Sequence, residues 1–178
     1  SEENQKVKLQ SLPEISIPFQ AGMVPEWIFD RGFSPEILAE WDCRYNPQNK
    51  SLILPIYDEH NRPVSWIERY PPKHYIRYQF VKGFPKSQIV FGAHLADPVD
   101  YLCLTEGSLD CIRLNQNGIP AVAILGIYIS DAQEHIIKQF NCGEIVICLD
   151  NDAAGQSGTK RVYELLSNNF ITSLIEIP

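Results

Sequence analysis

Short apolar runs alternate with amphipathic stretches along the second half of the chain. The apolar runs predict strands at residues 101–106, 120–125, 144–150 and 172–177. The stretches between them have apolar positions at helical spacing and predict helices at residues 108–118, 130–140 and 155–169. Because short links join strands to helices throughout, the pattern predicts an α/β fold with right-handed crossovers and a parallel sheet covered by helices on both faces.

Cap signals support two of these predicted helices. Ser130 and Gln133 have the spacing of a capping box, in which each residue hydrogen-bonds the backbone of the other. The pair Asn117-Gly118 closes the preceding helix, because both residues readily adopt the left-handed conformation that ends a helix. These signals indicate where two helices of the α/β region begin and end.

The first half of the chain has a different organisation. A short helix is predicted to begin at Pro25 and to end at Gly32, and a second helix to begin at Ser34, with Pro35 in its first turn. Downstream, two strand-like runs flank a polar turn at residues 59–61, which predicts a β-hairpin. These runs are residues 51–58 and 62–70.

The change of pattern near residue 98 predicts how the chain is divided. Residues 1–20 are expected to be a tail or linker, polar at first and then interrupted by prolines. Residues 21–97 are expected to form a smaller, basic α+β subdomain that contains the hairpin. Residues 98–178 are expected to form the parallel-sheet domain.

Composition excludes several classes of protein. The chain has 178 residues, 44% hydrophobic and 21% charged, which is typical of a soluble domain that needs no disulfides. No apolar run approaches the roughly 18 residues of a membrane span, and the polar N-terminus has no signal-peptide core, so we expect a cytoplasmic protein without a membrane partner. Five cysteines lack any C-x-x-C spacing, which argues against a zinc site. Cys103 and Cys148 are interpreted as small buried hydrophobic residues.

Charge is distributed unevenly. The net charge is −7, yet residues 44–90 hold eight Lys or Arg against three Asp or Glu, a net +5 that leaves −12 for the rest. Eight aromatic residues are interleaved with these cations, which suits a path for single-stranded nucleic acid. The alternative is that Tyr57 and Trp66 pack in the hairpin core while the cations are solvated. Our candidates for template or nucleotide-phosphate contacts are Arg69, Lys73, Arg77 and Lys82.

Carboxylates follow two of the predicted parallel strands. Glu106 ends the first strand, Asp150 and Asp152 end the third, and Asp110 lies four residues beyond Glu106. Because the carboxyl ends of parallel strands share one edge of a sheet, we expect these groups to converge. Such a cluster is costly without a counter-ion, and ligation by carboxylates alone suits Mg²⁺ or Mn²⁺. The pattern therefore points to phosphoryl or nucleotidyl transfer.

Small and basic residues accompany the carboxylates. Gly107 and Gly155 keep the two turns small enough for a substrate to approach, and Lys160 and Arg161 on the following helix could reach a phosphate. The alternative is that Asp150 and Asp152 act only as helix N-caps, a common role for Asp between a strand and a helix. Carboxylates at two strand ends in one α/β unit make the metal interpretation more specific than either motif alone.

Three segments together resemble the Toprim domain, the catalytic fold of bacterial-type DNA primases, type IA and II topoisomerases and some nucleases. They are LTEGSLD at 104–110, AVAILG at 121–126 and VICLDNDAAGQSGTKRV at 146–162. The E-G-x-x-D and D-x-D-x-A-G spacings are most similar to bacterial and phage primases of the DnaG-like branch. Upstream segments are similar to the helical part, the strand pair and the link of the primase catalytic core, at residues 27–47, 51–70 and 90–96.

This resemblance implies a four-stranded parallel sheet and a Mg²⁺ site around Glu106, Asp150 and Asp152. It implies a DNA-directed RNA polymerase that makes short primers on single-stranded DNA from ribonucleoside triphosphates. A replicative helicase is the expected partner, in a bacterial or phage-infected cell. Asp150 and Asp152 would hold the ion and the incoming triphosphate, and Glu106 would complete the site or help to deprotonate the attacking 3′-hydroxyl. Asp110 would support them from the next helix.

The sequence departs from the family pattern at four places. No zinc ribbon precedes the core, and Leu125-Gly126-Ile127 stands where the family has L-G-T, with Gly126 as the turn glycine. Asn61-Arg62 replaces the turn glycine of the strand pair. The chain reaches Pro178 where the family has a further G-x-D-P-x-D motif, so we expect the Toprim domain to be truncated at its C-terminal side. Two other hypotheses remain open: a Toprim nuclease, and a non-catalytic nucleic-acid-binding module of a replication or repair complex.

Overall fold

The structure, a computed structural model, describes residues 12–14, 16–19, 26–97, 100–150 and 152–175. Most of the segment predicted as a tail, the predicted helix start at Pro25 and the last residues of the predicted fourth strand lie outside these ranges. The described residues fall into two compact units. The antiparallel unit runs to Tyr57 and includes Arg62–Pro85, and the parallel unit comprises Asp58–Asn61 and the chain from Lys86 onward.

The antiparallel unit contains a five-stranded sheet in the order β1-β2-β3-β4-β5 and two short helices. The strands are β1 (Ile17–Pro18), β2 (Arg44–Asn46), β3 (Ser51–Tyr57), β4 (Pro63–Arg69) and β5 (Tyr78–Phe80). The helices are α1 (Glu26–Phe29) and α2 (Pro35–Glu40). The strand β1 lies in the segment that the sequence analysis assigned to a tail or linker, and it pairs with β2 at the sheet edge.

The predicted hairpin and helix start of this unit are confirmed. In the turn between β3 and β4, Asn61 adopts a positive φ of 58° and its N–H donates to the Asp58 carbonyl at 3.0 Å. Asn tolerates this left-handed conformation well, which makes it suitable for a tight turn. Ser34 caps α2, its hydroxyl accepting from the Ile37 N–H at 3.2 Å, with Pro35 in the first turn.

The parallel unit contains a four-stranded sheet in the order β7-β6-β8-β9, and all its strand pairs are parallel. The strands are β6 (Tyr101–Thr105), β7 (Ala121–Ala123), β8 (Glu144–Cys148) and β9 (Ile171–Leu174). The crossover helices are α3 (Ser108–Gln116), α4 (Asp131–Lys138) and α5 (Ala153–Leu166), and a short 3-10 helix covers Lys86–Gln88. The α/β alternation predicted from the apolar runs is therefore confirmed.

Apolar side chains of the two central strands form the core of the parallel unit. Leu104 of β6 and Ile147 of β8 are fully buried, and Val162 and Leu166 of α5 pack in the same cluster. Both faces of these strands are covered, which explains why they are continuous apolar runs in the sequence. Cys103 and Cys148 are buried free thiols, as predicted.

Two helix ends of the parallel unit are also as predicted. The capping box of Ser130 and Gln133 is formed at the start of α4, and Gly118, with φ 73°, follows the end of α3. Gln133 is buried, and its amide donates to the carbonyls of Ile89 and Ile124, both at 2.8 Å. None of the helices in the described part of the chain combines the length and the apolar character needed to span a bilayer.

Candidate active site

The two strands that lead into the predicted carboxylates are neighbours in the parallel sheet. β6 and β8 pair in parallel from Tyr101–Glu144 to Thr105–Cys148. Glu106 directly follows β6, and Asp150 follows β8 after one more buried residue. Both carboxylates therefore lie at the same edge of the sheet, where parallel α/β folds bind ligands.

Glu106 interacts with all three of the other acidic residues named in the sequence analysis. Its pKa is raised above the ordinary Glu value, first by partial burial and then by the charges of Asp150, Asp152 and Asp110. The Asp150 backbone acts in the opposite direction and lowers the pKa of this carboxyl. Glu106 is thus electrostatically coupled to each of the three aspartates.

Asp152 has a structural role in addition to any role in binding. It is the N-cap of α5, and its Oδ1 accepts from the Gly155 N–H at 2.7 Å. Asp152 therefore caps α5, whereas Asp150 does not. Asp152 remains exposed, and only one of its two carboxylate oxygens has this bond. Capping orients the side chain without using its full capacity as a ligand.

Glycines allow a close approach of the backbone at both turns. A Cβ on Gly155 would lie 1.9 Å from the Asp150 carbonyl oxygen, so no other residue fits without moving that backbone. A Cβ on Gly107 would lie 2.6 Å from Asp110 Oδ2, which shows that the Asp110 carboxylate folds back over the turn after β6. The turn beyond β7 differs, because the positive φ of 57° is at Leu125 and not at Gly126.

The donor chemistry of this group fits a hard dication. All four side chains offer carboxylate oxygens, the ligands that Mg²⁺ and Mn²⁺ prefer, and Mg²⁺ needs only one or two of them alongside water and phosphate. Across the residues that the structure describes, no three His, Cys, Asp or Glu side chains are already grouped closely enough to hold a metal ion.

The predicted phosphate-binding residues of α5 lie on two sides of this helix. Lys160 lines a cavity of about 310 Å³ together with Asp150, Tyr163 and Leu174. The Arg161 guanidinium lies 5.2 Å from the ring centroid of Tyr128, in a cation–π arrangement. The two adjacent cations therefore do not point at one common site.

The sequence analysis missed Lys86 as a candidate of the parallel unit. Its Nζ lies 3.9 Å from the position that a Cβ on Gly126 would take, in the turn beyond β7. Lys86 is exposed and begins the 3-10 helix of this unit. The available signal was its place at the end of the basic segment, directly before the link into the α/β region.

The four cations chosen from the basic segment differ in their surroundings. Lys73, Arg77 and Lys82 are exposed, whereas Arg69 is buried. The Arg69 guanidinium lies 4.7 Å from the Tyr78 ring centroid, and its Nη1 donates to the Arg77 carbonyl at 3.1 Å. Arg69 thus links the end of β4 to the loop that follows it by a hydrogen bond. The side chains of the other three cations lie at the surface.

Comparisons with known proteins agree with this geometry. Residues 103–178 match the family model described as Toprim-like. A DNA primase of Mycoplasma genitalium is 29% identical over 136 residues, covering 70% of this chain and 22% of that protein. An uncharacterised protein of the same organism is 33% identical over 136 residues, covering 73% of this chain and 62% of the relative.

Solved structures show the same fold. A structure described as the DnaG primase catalytic domain bound to ssDNA superposes with a TM-score of 0.71 at 18% identity, covering 86% of this chain and 63% of that one. The matched region includes more than the Toprim-like segment, because 86% of the chain extends well into the antiparallel unit. The chain spans less than two thirds of the length of each of the three proteins named here.

Proposed function

The chain is a Toprim-fold protein with the architecture of a DnaG-like primase core, and from this premise we propose that it catalyses primer synthesis. The reaction joins ribonucleoside triphosphates on a single-stranded DNA template by nucleotidyl transfer. The observation that carries the proposal is the placement of Glu106 and Asp150 just beyond the carboxyl ends of the neighbouring parallel strands β6 and β8. The similarity to a DNA primase of Mycoplasma genitalium supports the same activity.

We assign the ion to the aspartates at the end of β8. Asp150 and Asp152 would hold Mg²⁺ or Mn²⁺, which when bound neutralises the phosphate charge of the incoming nucleotide. Asp152 would contribute the oxygen that its capping bond leaves available. Asp110, folded back over Gly107, would support the arrangement from the start of α3.

Glu106 has two possible roles in this proposal. It could complete the metal site, or it could accept the proton of the attacking 3′-hydroxyl. The second role would require the Glu106 carboxylate to lie within hydrogen-bond reach of that hydroxyl.

We assign a role to each candidate cation according to whether its side chain is exposed. Lys73, Arg77 and Lys82 would contact the backbone of the template strand, since they are exposed and belong to the +5 segment. Arg69, which is buried, would position the loop that carries Lys73 and Arg77. Lys160 and Arg161 would contact phosphates of the nucleotide or primer. A replicative helicase is the protein partner that we propose from the family resemblance.

The test is synthesis of labelled primers on single-stranded DNA with ribonucleoside triphosphates and Mg²⁺. Asp150→Ala and Asp152→Asn should each lower synthesis by about 100-fold or more, since each removes charge where the phosphates react. Asn retains the helix cap at 152, so that variant isolates the lost charge. Glu164→Gln, which changes an exposed carboxylate of the same helix, is the matched control and should be as active as the wild type.

Other outcomes would favour the other two hypotheses. Shortening of the labelled DNA without incorporation of ribonucleotides would indicate a Toprim nuclease that uses the same carboxylates. Binding of single-stranded DNA that is indifferent to Mg²⁺ and to Asp150→Ala, with no reaction, would indicate a non-catalytic module. Primer synthesis that survives both aspartate substitutions would refute the proposed site.

A further inference from the structure

Three aromatic rings follow one another in the loop after β4, the first two stacked and the third tilted against the second. The Tyr70 and His74 rings are 4.2 Å apart between centroids and nearly parallel, at an angle of 13°. The Tyr75 ring follows at 4.6 Å from His74, tilted by 30°. The stack begins inside the protein, where Tyr70 is 7% exposed, and ends at the surface, where Tyr75 is 89% exposed.

Buried polar groups hold the inner end of this stack in place. The Tyr70 hydroxyl donates to Glu68 Oε2 at 2.9 Å and lies 3.0 Å from Gln79 Oε1. Glu68 is itself buried, and its other oxygen accepts from the amides of Asn46 and Asn49 at 3.1 and 2.9 Å. A ring anchored through such a network loses little freedom when another ring packs on it.

The loop that carries the outer rings is also held by hydrogen bonds. The Tyr70 N–H donates to the Arg77 carbonyl at 3.0 Å, which closes the loop at its base. His74 Nδ1 lies 3.2 Å from the Ile76 N–H and 2.9 Å from the Ile76 carbonyl, so either tautomer is hydrogen-bonded there. The exposed Tyr75 ring therefore lies beside a ring, His74, that the loop holds in place.

We propose that the outer face of Tyr75 stacks on a base of single-stranded nucleic acid, with His74 and Tyr70 as the fixed support beneath it. Any base presents a flat π face, so this contact would be tolerant of sequence. Lys73 and Arg77 are exposed on either side of the ring in the sequence and supply cations for the adjoining phosphates. The inference rests on the proposed function and adds to it the residue that contacts the template base.

The experiment compares two strands of equal length and charge, oligo(dT) and an abasic strand without bases. Their affinities are measured by fluorescence anisotropy for the wild type, Tyr75→Ala and Tyr75→Phe. Tyr75→Ala should weaken oligo(dT) binding by about 5- to 150-fold, the loss expected for one stacked base, and leave abasic binding unchanged. Tyr75→Phe should bind as the wild type does. Phe29→Ala, at another exposed ring of the same unit, should change neither affinity.

His74 acts in this proposal as a positioning residue, and its variants test the support. His74→Ala should reduce the preference for oligo(dT) over the abasic strand, and His74→Phe, which keeps a flat ring, should restore it. A variant that is partly unfolded would instead bind both DNA strands more weakly, by the same factor, and its thermal midpoint would be lower. If Tyr75→Ala retains the wild-type preference, the stacking proposal is overturned while the proposed function stands. If the wild type binds neither strand, both are overturned.

Discussion

Glu106 and Asp150 lie just beyond the carboxyl ends of β6 and β8, the two central strands of the parallel sheet, which pair directly with each other. The charges of the Asp150 and Asp152 side chains raise the pKa of the Glu106 carboxyl, whereas the Asp150 backbone lowers it. Several consequences of that balance can be measured.

The stability of the protein should depend on the ionisation of Glu106. At low pH the carboxyl is neutral in the folded and unfolded chains and has no effect. As the pH rises, the unfolded chain ionises first, because the folded pKa is the higher one, and the folded state loses stability. Glu106→Gln should therefore be more stable than the wild type at neutral pH, and the difference should vanish below the ordinary Glu pKa.

Thermal midpoints measured from acid to neutral pH test this prediction. Glu164→Gln is the control, because it removes an exposed carboxylate from the same unit. A difference between Glu106→Gln and the wild type that stays constant across the whole pH range would contradict the coupling of Glu106 to its neighbours.

Mg²⁺ should relieve the same repulsion by binding between the carboxylates. A ligand at one hundred times its dissociation constant stabilises a folded protein by about 2.7 kcal/mol, so the thermal midpoint should rise with added MgCl₂. The rise should be measured against NaCl of equal ionic strength. Asp152→Asn keeps the cap of α5 and should lose most of the effect. If the thermal midpoints of Asp150→Asn and Asp152→Asn rise with MgCl₂ as much as that of the wild type, the ion binds elsewhere.

The fold of the parallel unit could be predicted because short segments of its sequence each indicate one strand or helix. Strands such as β6 and β8 are buried on both faces and therefore appear as continuous apolar runs, while their helices carry recognisable caps. The motif spacing then indicated that Glu106 and Asp150 belong to adjacent strand ends. Their electrostatic coupling follows from the parallel pairing of those strands.

The surroundings of individual cations could not be predicted in the same way. Arg69 was predicted to contact a phosphate; it is buried, and the ring of Trp27, 42 positions earlier in the chain, lies 5.8 Å from its guanidinium. Lys86 was passed over because its proximity to Gly126 links two distant segments. The pairing of β1 with β2 was missed for the same reason, since a two-residue edge strand leaves no periodic signal.

Gly155 should be far less replaceable than Gly126. An added methyl group at Gly155 would overlap the Asp150 carbonyl oxygen at 1.9 Å, whereas at Gly126 it would meet only the flexible end of Lys86 at 3.9 Å. Gly155→Ala should cost about 1–3 kcal/mol of unfolding free energy, because the backbone beside Asp150 must move. Gly126→Ala should stay within about 0.5 kcal/mol of the wild type. Urea unfolding measures both.

Primer synthesis adds a second readout to this pair of glycine variants. Displacement of the Asp150 backbone in Gly155→Ala should lower activity by about 10-fold or more, since small shifts in positioning groups are costly to catalysis. Gly126→Ala should be nearly as active as the wild type. Equal losses in the two variants would mean that the close contact with Asp150 does not position the carboxylates.

The buried carboxylate of Glu68 should be the most sensitive polar group of the antiparallel unit. Its oxygens accept from Asn46, Asn49, Ser51 and Tyr70, so its removal leaves the buried Asn46 amide and Ser51 hydroxyl without this acceptor. Glu68→Ala should cost about 3 kcal/mol or more in urea unfolding, because each unsatisfied donor costs about 1–3 kcal/mol. Tyr70→Phe, which removes one hydroxyl from the same network, should cost about 1 kcal/mol. If Glu68→Ala is as stable as Tyr70→Phe, the hydrogen-bond network of Glu68 does not stabilise the unit, and packing alone fixes the position of Tyr70.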